Sequence, residues 1–299
     1  MDRISLKAMG KINLALDVLG RRENGYHDVR MIMQSVQIFD RLLIEKSHES
    51  GIRVKTNRAY LPTDENNLVY QAAKLLIDEF GIREGVDIDL KKFLPVAAGM
   101  AGGSSDAAAV LFGMNRMFRL GLRRGELMKR GLLIGADIPF CIMRGTVLAE
   151  GIGEILTPLA PAPQCHVLIA KPPVGVSTGQ IYARIDTYGV EEHPDIDGML
   201  QAISGNDLKG VANRLGNVLE QVTKQDHPVI GQIEETMLQC GALGAAMSGS
   251  GPTVFGLFEE EERALAAYDK LRDMHVAKQI YLTAFYQPGN TQEKEHAGL

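Results

Sequence analysis

A run of glycine, alanine and serine at residues 94–111 (LPVAAGMAGGSSDAAAVL) is well suited to binding an anion. Its glycines carry no side chain, so backbone N–H groups can close around a phosphate. The polar residues that follow stand where a helix should begin, and free N–H groups and the dipole at a helix start attract negative charge. The glycines are Gly99, Gly102 and Gly103, and the polar residues are Ser104, Ser105 and Asp106. The alternative is a turn that caps a buried, alanine-rich helix.

The loop matches neither of two common nucleotide-binding motifs. It lacks the Lys of G-x-x-x-x-G-K-[ST], and its G-x-x-G-G spacing differs from the dinucleotide G-x-G-x-x-G. A second glycine segment at residues 247–256 (MSGSGPTVFG) suggests a triphosphate or a phosphorylated co-substrate held from two sides. A bare SGSG is also a common turn, so this segment supports the first one rather than standing alone.

Two charged residues are candidates for proton transfer and charge stabilisation. Asp137, in GADIPF, is either a general base or a residue that caps a loop. Lys11, in MGKINLAL, is a single cation on an apolar strand. It lies either at a solvated edge or in a site, paired with a carboxylate.

Hydrophobic periodicity predicts the elements that position these residues. Strands are expected over 5–18, 30–45, 86–94, 142–148, 166–170, 242–247, 253–258 and 280–285. Helices are expected over 67–80, 106–118, 125–134, 196–203, 207–221, 229–239 and 260–274, with loops at 95–105 and GADIPF. Strands and helices do not alternate regularly, which favours two α+β domains. The proline-rich TPLAPAPQ predicts a boundary, giving domains 1–157 and 158–286 and a polar tail, 287–299.

Composition excludes several classes of protein. The chain has 299 residues, 45% hydrophobic and 23% charged, which argues against disorder. A net charge of −5 argues against nucleic acid and anionic membranes as partners. No apolar run approaches the roughly 18 residues of a membrane helix, and the N-terminus lacks the apolar core of a signal peptide. Three cysteines without a CxxC pair argue against a disulfide scaffold or zinc site. A cytoplasmic enzyme is expected.

The motifs together resemble those of the GHMP kinase superfamily. LPVAAGMAGGSSDAAAVL, GADIPF and MSGSGPTVFG occur in the family's order, and the resemblance extends from Lys7 to about Phe285. KINLALDVLGRRENGYHDV is similar to one branch in particular. This resemblance implies ATP-dependent phosphorylation, with Mg²⁺ carried by the nucleotide, of the 2-hydroxyl of 4-diphosphocytidyl-2-C-methyl-D-erythritol in non-mevalonate isoprenoid synthesis. It also implies an N-terminal domain similar to ribosomal protein S5 domain 2 and a ferredoxin-like C-terminal domain.

The resemblance also implies roles for individual residues. Asp137 would be the catalytic base and Lys11 its paired cation. The ATP site would contain Asn67 at the adenine and, around the phosphates, Pro95, Val96, Ala97, Ala98, Gly99, Met100, Ala101, Gly102, Gly103, Ser104 and Ser105. The cytidine-bearing substrate would contact Asn13, Tyr26, His27 and Tyr182, and Ser248, Gly249, Ser250 and Gly251 would support the phosphate region. No side chain is assigned as a dedicated metal ligand, although Ser104 or Ser105 would be able to reach Mg²⁺.

Some alternatives stay open. Another small-molecule kinase of the same family, of homoserine or mevalonate type, is the nearest rival, and a non-catalytic nucleotide-binding protein is a second. Two residues depart from the family pattern. Ala101 replaces a frequent glycine, from which only a stiffer turn is expected, and Arg144 precedes Gly145 where many members have two glycines. The contacts of Arg144 and the choice between monomer and homodimer are left open.

Overall fold

The structure is a computed structural model that describes residues 1–190 and 192–288. Its strands are β1 (Arg3–Arg21), β2 (His27–Ser47), β3 (Ile52–Thr56), β4 (Gly85–Lys91), β5 (Thr146–Glu150), β6 (Ile155–Pro158), β7 (His166–Lys171), β8 (Gly216–Asn217), β9 (Gly244–Met247), β10 (Val254–Phe258) and β11 (Gln279–Ala284). Its helices are α1 (Leu68–Phe80), α2 (Gly102–Met117), α3 (Arg124–Leu132), α4 (Ile138–Met143), α5 (Thr178–Tyr188), α6 (Ile196–Ser204), α7 (Leu208–Ala212), α8 (Val218–Asp226), α9 (Val229–Gln239) and α10 (Glu261–Asp273).

The chain forms two compact units, and β1 and β2 contribute residues to both. The first unit contains Met1–Gly10, Ile38–Val96 and Ala101–Met143. Here β4 pairs antiparallel with the second half of β2 and parallel with β3. Helices α1 and α2 pack against each other, and α2 buries the small side chains of its alanine run. Close packing of α2 is possible because alanine and glycine let neighbouring side chains approach its backbone.

The second unit contains Lys11–Gln37, Ala97–Met100 and the described residues from Arg144 onward. Strand β5 joins the first half of β2 to β6 by antiparallel pairing, and the short β8 pairs parallel with β1. A separate antiparallel sheet has the order β11-β7-β10-β9, and α9 and α10 pack on it. β10 is completely buried, as expected of a central strand. The α+β architecture expected from the sequence is confirmed.

Local signals explain why most predicted elements form where they do. Helix α1 begins after Asn67, whose side chain accepts a hydrogen bond from the Val69 N–H, and ends at Gly81 in the left-handed conformation. Periodicity also located β1, β2, β7, β9, β10, α6, α9 and α10 to within a few residues. Helix α5 was not predicted, because only Ile181 and Ile185 of its residues are buried.

Three predictions about the helices and loops were wrong. The loop predicted over 95–105 ends at Ala101, because helix α2 already begins at Gly102. Glycine is tolerated there, since the N–H groups of a first helical turn have no partner within the helix. GADIPF is not entirely a loop, since α4 begins at Ile138, and β5 therefore starts only at Thr146. The predicted helix 207–221 is two helices, because Asn217 caps α8.

The proline-rich segment lies where the chain leaves β6. Thr157 and Pro158 end that strand, and regular structure resumes at β7. The domain boundary predicted here stays a prediction. Most of the predicted polar tail, 289–299, lies outside the described residues. Within the described part of the chain, every helix is too short or too polar to cross a bilayer.

Candidate active site

The start of α2 has the properties of an anion-binding site. Ala101 precedes the helix with a left-handed φ of 52°, and no side chain caps the helix. The N–H groups of the first turn therefore remain available to a ligand, and the helix dipole adds positive potential. Ser105 is buried and its hydroxyl donates a hydrogen bond of 2.6 Å to the Met9 carbonyl, so of the two predicted serines only Ser104 keeps its hydroxyl for a ligand.

A buried ionic cluster, which sequence reasoning missed, lies beneath this helix start. The Lys92 ammonium contacts the carboxylates of Asp40 and Asp106, the latter at 2.7 Å. Asp40 also accepts hydrogen bonds from the N–H groups of Phe93 and Leu94, at 2.5 and 2.8 Å. The cluster thus ties the chain entering the glycine segment to the first turn of α2. Lys92 stands just before the glycines, but nothing local in the sequence indicates which carboxylates it meets.

The charges in this cluster are strongly perturbed by burial. Burial raises the pKa of the Asp106 carboxyl well above its usual range, against the attraction of Lys92. Burial alone would lower the pKa of Lys92, but the Asp106 and Asp40 carboxylates outweigh it and raise that pKa. Two carboxylates share one ammonium, so repulsion by Asp40 adds to the rise in the pKa of Asp106.

The second glycine segment packs directly on the first within the second unit. The hydroxyl of Ser248 donates to the Gly99 carbonyl at 2.9 Å and accepts from the Asn13 N–H at 3.3 Å. Gly99 has a φ of 74°, and a Cβ there would lie 2.0 Å from the Ser248 carbonyl oxygen. Only glycine fits this approach. The residues predicted to form two phosphate loops, Gly99 and Ser248, are therefore brought together.

Asn217, which was not predicted, holds the second glycine segment from the other side. Its amide nitrogen donates to the carbonyls of Met247 and Gly249, at 2.8 and 2.7 Å, while its oxygen caps α8. The carboxylate of Glu220 accepts from the Met247 N–H at 2.7 Å. Asparagine before a helical pattern is a capping signal, but nothing local in the sequence indicates its second role. Ser250 exchanges a hydrogen bond of 2.7 Å with the hydroxyl of Thr178.

The two residues predicted to act on the transferred group lie in different units. Lys11 is buried in the second unit, and its ammonium donates to the Asn13 side-chain oxygen at 2.7 Å. Asp137 is half-buried in the first unit, just before α4, and the described residues of that unit provide its carboxylate with no hydrogen bond or ion pair. A carboxylate with unused lone pairs is suited to accept a proton. The pairing of Asp137 with Lys11 stays a prediction.

The residues predicted to contact the base lie at the β1–β2 turn and on α5. The rings of His27 and Tyr182 lie 4.7 Å apart and are tilted by 34°. Nε2 of His27 lies 2.7 Å from a carboxylate oxygen of Asp186, whose other oxygen lies 3.4 Å from a guanidinium nitrogen of Arg21. The Tyr26 side chain is 59% exposed and is therefore accessible to a ligand. Asp186 was not predicted.

Two other residues considered in the sequence have clear structural roles. Asn67 caps α1 and donates from its amide nitrogen to the Pro62 carbonyl at 2.7 Å, so both ends of its amide are engaged. Its predicted contact with adenine stays a prediction. Arg144 adopts a left-handed φ of 62°, and its guanidinium lies 5.9 Å from the centre of the Tyr286 ring.

Comparison with known proteins identifies the family. The pattern of the GHMP kinases N terminal domain matches residues 67–145, and that of the GHMP kinases C terminal matches 196–277. A protein of Lachnospira eligens named 4-diphosphocytidyl-2-C-methyl-D-erythritol kinase is 56% identical over 96% of this chain and 100% of its own length. The chain belongs to the GHMP kinase family. As a GHMP kinase it is an ATP-using phosphotransferase that acts on a hydroxyl group.

Other GHMP kinases agree with this assignment. A relative from Geobacillus thermodenitrificans with the same name is 49% identical over 90% of this chain and 93% of its own. A crystal structure of 4-(cytidine 5'-diphospho)-2C-methyl-D-erythritol kinase matches with a TM-score of 0.81 and 30% identity, covering 95% of this chain and 100% of its own. Homoserine kinase from Cytophaga hutchinsonii, at 20% identity and a TM-score of 0.75 over 95% of both chains, shares the fold.

Proposed function

We propose that this GHMP kinase transfers the γ-phosphoryl group of ATP to the 2-hydroxyl of 4-diphosphocytidyl-2-C-methyl-D-erythritol, a step of non-mevalonate isoprenoid synthesis. The observation that carries the proposal is the 56% identity, over the full length of the relative, to a kinase named for that substrate. The glycine segments and the aromatic residues near the β1–β2 turn supply a phosphate site and a base site consistent with it.

The phosphates of ATP would bind to backbone N–H groups rather than to a lysine. The uncapped start of α2 provides these donors at Gly102, Gly103 and Ser104. Gly99 and Ser248 hold the two glycine segments together, which preorganises the loop before the nucleotide arrives. Neutralisation of phosphate charge is the chemistry that Mg²⁺ supplies when bound. These residues fit an Mg²⁺ ion that is held mainly by the nucleotide phosphates. Ser104 would be the side chain that reaches the ion, because the Ser105 hydroxyl is already bonded to the Met9 carbonyl.

Phosphoryl transfer requires mainly positioning and charge stabilisation, with one proton to remove from the attacking hydroxyl. Asp137 would accept that proton, since its carboxylate has unused acceptor sites within its unit. Lys11 would contribute positive charge to the oxygen, and Asn13 orients the ammonium through their 2.7 Å hydrogen bond. Because Lys11 is buried, its attraction for negative charge on the oxygen would be stronger than in water.

The base of the acceptor substrate would lie against Tyr26, His27 and Tyr182. Aromatic rings favour flat bases, and stacking contributes roughly 1–3 kcal/mol per base in nucleic-acid sites. Tyr182 and His27 already contact each other, so the Tyr182 ring would be held ready to stack on the base, and the edge of the base would face the His27 imidazole. Domain limits at 157 and 158, adenine binding by Asn67 and a cytoplasmic location stay predictions alongside this proposal.

Mass spectrometry of the acceptor tests the function directly. Incubation with Mg·ATP and the cytidyl substrate should add one phosphoryl group, whereas homoserine and mevalonate should stay unmodified. Phosphorylation of either of these instead would identify one of the rival kinases, and no transfer to any acceptor would favour a non-catalytic nucleotide-binding protein.

Tyr182→Ala tests the base site. It should raise KM for the cytidyl substrate by about ten- to a hundredfold, the equivalent of one lost stacking contact, with little change in KM for ATP. Tyr188→Ala is the matched control, because Tyr188 lies on the same helix with 72% of its surface exposed. Equal losses for both substrates would contradict the proposed base site.

A further inference from the structure

Helix α5 holds the imidazole of His27 in place on two sides. Asp186 lies 2.7 Å from Nε2, and the Tyr182 ring lies 4.7 Å from the imidazole centre. Only 9% of the His27 side chain is exposed, and Arg21 lies 3.4 Å from the second oxygen of Asp186. The ring is therefore packed, and its carboxylate partner is itself oriented by a cation.

The carboxylate restricts which nitrogen of the ring carries the proton. An ionised carboxylate only accepts hydrogen bonds, so a contact with Nε2 requires a proton on Nε2. In a neutral imidazole the other nitrogen, Nδ1, is then an acceptor. Cytosine carries an exocyclic amine, which donates, where uracil carries a carbonyl oxygen, which accepts. An acceptor at Nδ1 can bond to cytosine and repels uracil.

We propose that Asp186 is a positioning residue that fixes the Nε2–H tautomer of His27 and thereby sets the preference for a cytosine over a uracil base. The inference rests on the proposed function, because it takes His27 as a residue that contacts the base. It adds Asp186 to the residues that determine specificity. A carboxylate suits this role because, when ionised, it only accepts hydrogen bonds.

A purely structural role for Asp186 is the alternative, since the residue also connects α5 to the turn between β1 and β2. The helix has a second ion pair, between Arg184 and Asp226, which connects α5 to α8 instead of to the turn. Arg184 lies on α5 and Asp226 is the last residue of α8. Loss of Asp226 should therefore weaken the anchoring of α5 without touching His27, which makes Asp226→Asn the matched control.

Steady-state kinetics and NMR together test the proposal. In Asp186→Asn the amide can offer its N–H₂ group to Nε2, so the tautomer is no longer fixed. We expect KM for the cytidyl substrate to rise about tenfold and the preference over a uridyl analogue to fall about tenfold, as for the loss of one hydrogen bond. The KM for ATP and kcat should stay within about twofold, below the effect of one hydrogen bond. Asp226→Asn should retain the wild-type preference.

The ¹⁵N spectrum of the histidine-labelled full chain reads the tautomer without any substrate. At about pH 8 the wild type should give the Nε2–H pattern for His27, and Asp186→Asn should lose it. A His27→Gln spectrum assigns the signals. An unchanged tautomer or an unchanged base preference in an active Asp186→Asn enzyme would overturn the role of Asp186, and so would an equal loss in Asp226→Asn. Absence of phosphorylation by the intact protein would instead overturn the proposed function.

Discussion

The hydroxyl of Ser248 donates a 2.9 Å hydrogen bond to the carbonyl of Gly99, and this contact joins two glycine segments that are 149 residues apart in the chain. The approach is so close that a Cβ on Gly99 would lie 2.0 Å from the Ser248 carbonyl oxygen. Gly99 and Ser248 therefore pack against each other within the second unit, and a substitution at either position should affect both.

Gly99→Ala should destabilise the protein and weaken ATP binding together. A Cβ at this position is incompatible with both the contact to Ser248 and the φ of 74°, so we expect a loss of more than about 1 kcal/mol in the free energy of unfolding. Urea denaturation and the KM for ATP measure the two effects. Gly125→Ala is the control, since a Cβ there meets no atom within 4 Å. An unchanged unfolding midpoint for Gly99→Ala would contradict the packing argument.

Gly103→Val should weaken ATP binding without harming the fold. Gly103 lies in the uncapped first turn of α2, and a Cβ there meets only Leu68, at an ordinary 3.5 Å. The valine side chain would crowd the space in which a phosphate approaches these N–H groups, so we expect Kd for ATP to rise at least about tenfold, as for one lost hydrogen bond to a charged group. Gly102→Val is a less clear test because its Cβ would lie 3.1 Å from the Lys92 ammonium.

Gly231→Val is the matched control for Gly103→Val, since it alters the first turn of α9, where the space is open. Calorimetry gives the affinity and thermal unfolding gives the stability. If Gly103→Val bound ATP as the wild type does, the start of α2 would not be the phosphate site.

Asp137→Asn should reduce kcat by about 10²–10⁴-fold, the usual contribution of a general base. The amide has nearly the same shape as the carboxylate, so KM for ATP should change little. Asp78→Asn, which alters an exposed carboxylate of α1, should leave kcat unchanged. Retention of most of the wild-type kcat in Asp137→Asn would indicate that the residue only caps the loop before α4.

Ala101→Gly should stabilise the protein. The sequence predicted only a stiffer turn at this departure from the family, but the structure places Ala101 in the left-handed region, where an L-residue costs roughly 1–2 kcal/mol. Glycine relieves this strain but also increases the entropy of the unfolded chain, which offsets part of the benefit. We therefore expect the free energy of unfolding to increase by roughly 0.5–1 kcal/mol. Ala266→Gly, on the exposed face of α10, should instead lose about 1 kcal/mol. A loss at Ala101 of similar size would contradict the strain argument.

Glu234 should make stability depend on pH. Burial, reinforced by Glu220, raises its pKa from 4.5 to about 8. Between these values the folded state holds a proton that the unfolded state has released, so stability falls as pH rises. Glu234→Gln removes this loss. The free energy of unfolding of the variant minus that of the wild type should therefore increase from about pH 5 to about pH 8. The expected increase is at least about 1.4 kcal/mol, the equivalent of one pKa unit.

Denaturation curves at the two pH values measure this difference. Glu235→Gln is the control, because that neighbouring side chain is exposed and should follow the wild type at both values. If the two variants shifted alike, Glu234 would be ionised in the folded state at neutral pH.

Features that depend on neighbouring residues could be predicted from the sequence alone. Helix α1 was predictable because Asn67 and Gly81 carry the start and stop signals beside an apolar period. The glycines at the start of α2 predict a phosphate site from a similar local pattern, and that site stays a prediction. The order of the motifs was enough to indicate the family. Even here the exact start of α2 was missed, because glycine in a first turn is indistinguishable by composition from glycine in a loop.

Contacts between groups that are distant in the chain could be found only from the folded structure. Asp186 and His27 are 159 residues apart, and Lys92 and Asp40 are 52 apart. Neither pair has a local signal, since a carboxylate on a helix or strand has the same pattern whether it faces solvent or a buried partner. Such pairs form because hydrophobic burial brings their elements together, and a buried charge must then find a partner to offset its loss of hydration. The partner is therefore set by the path of the whole chain and not by the residues beside it.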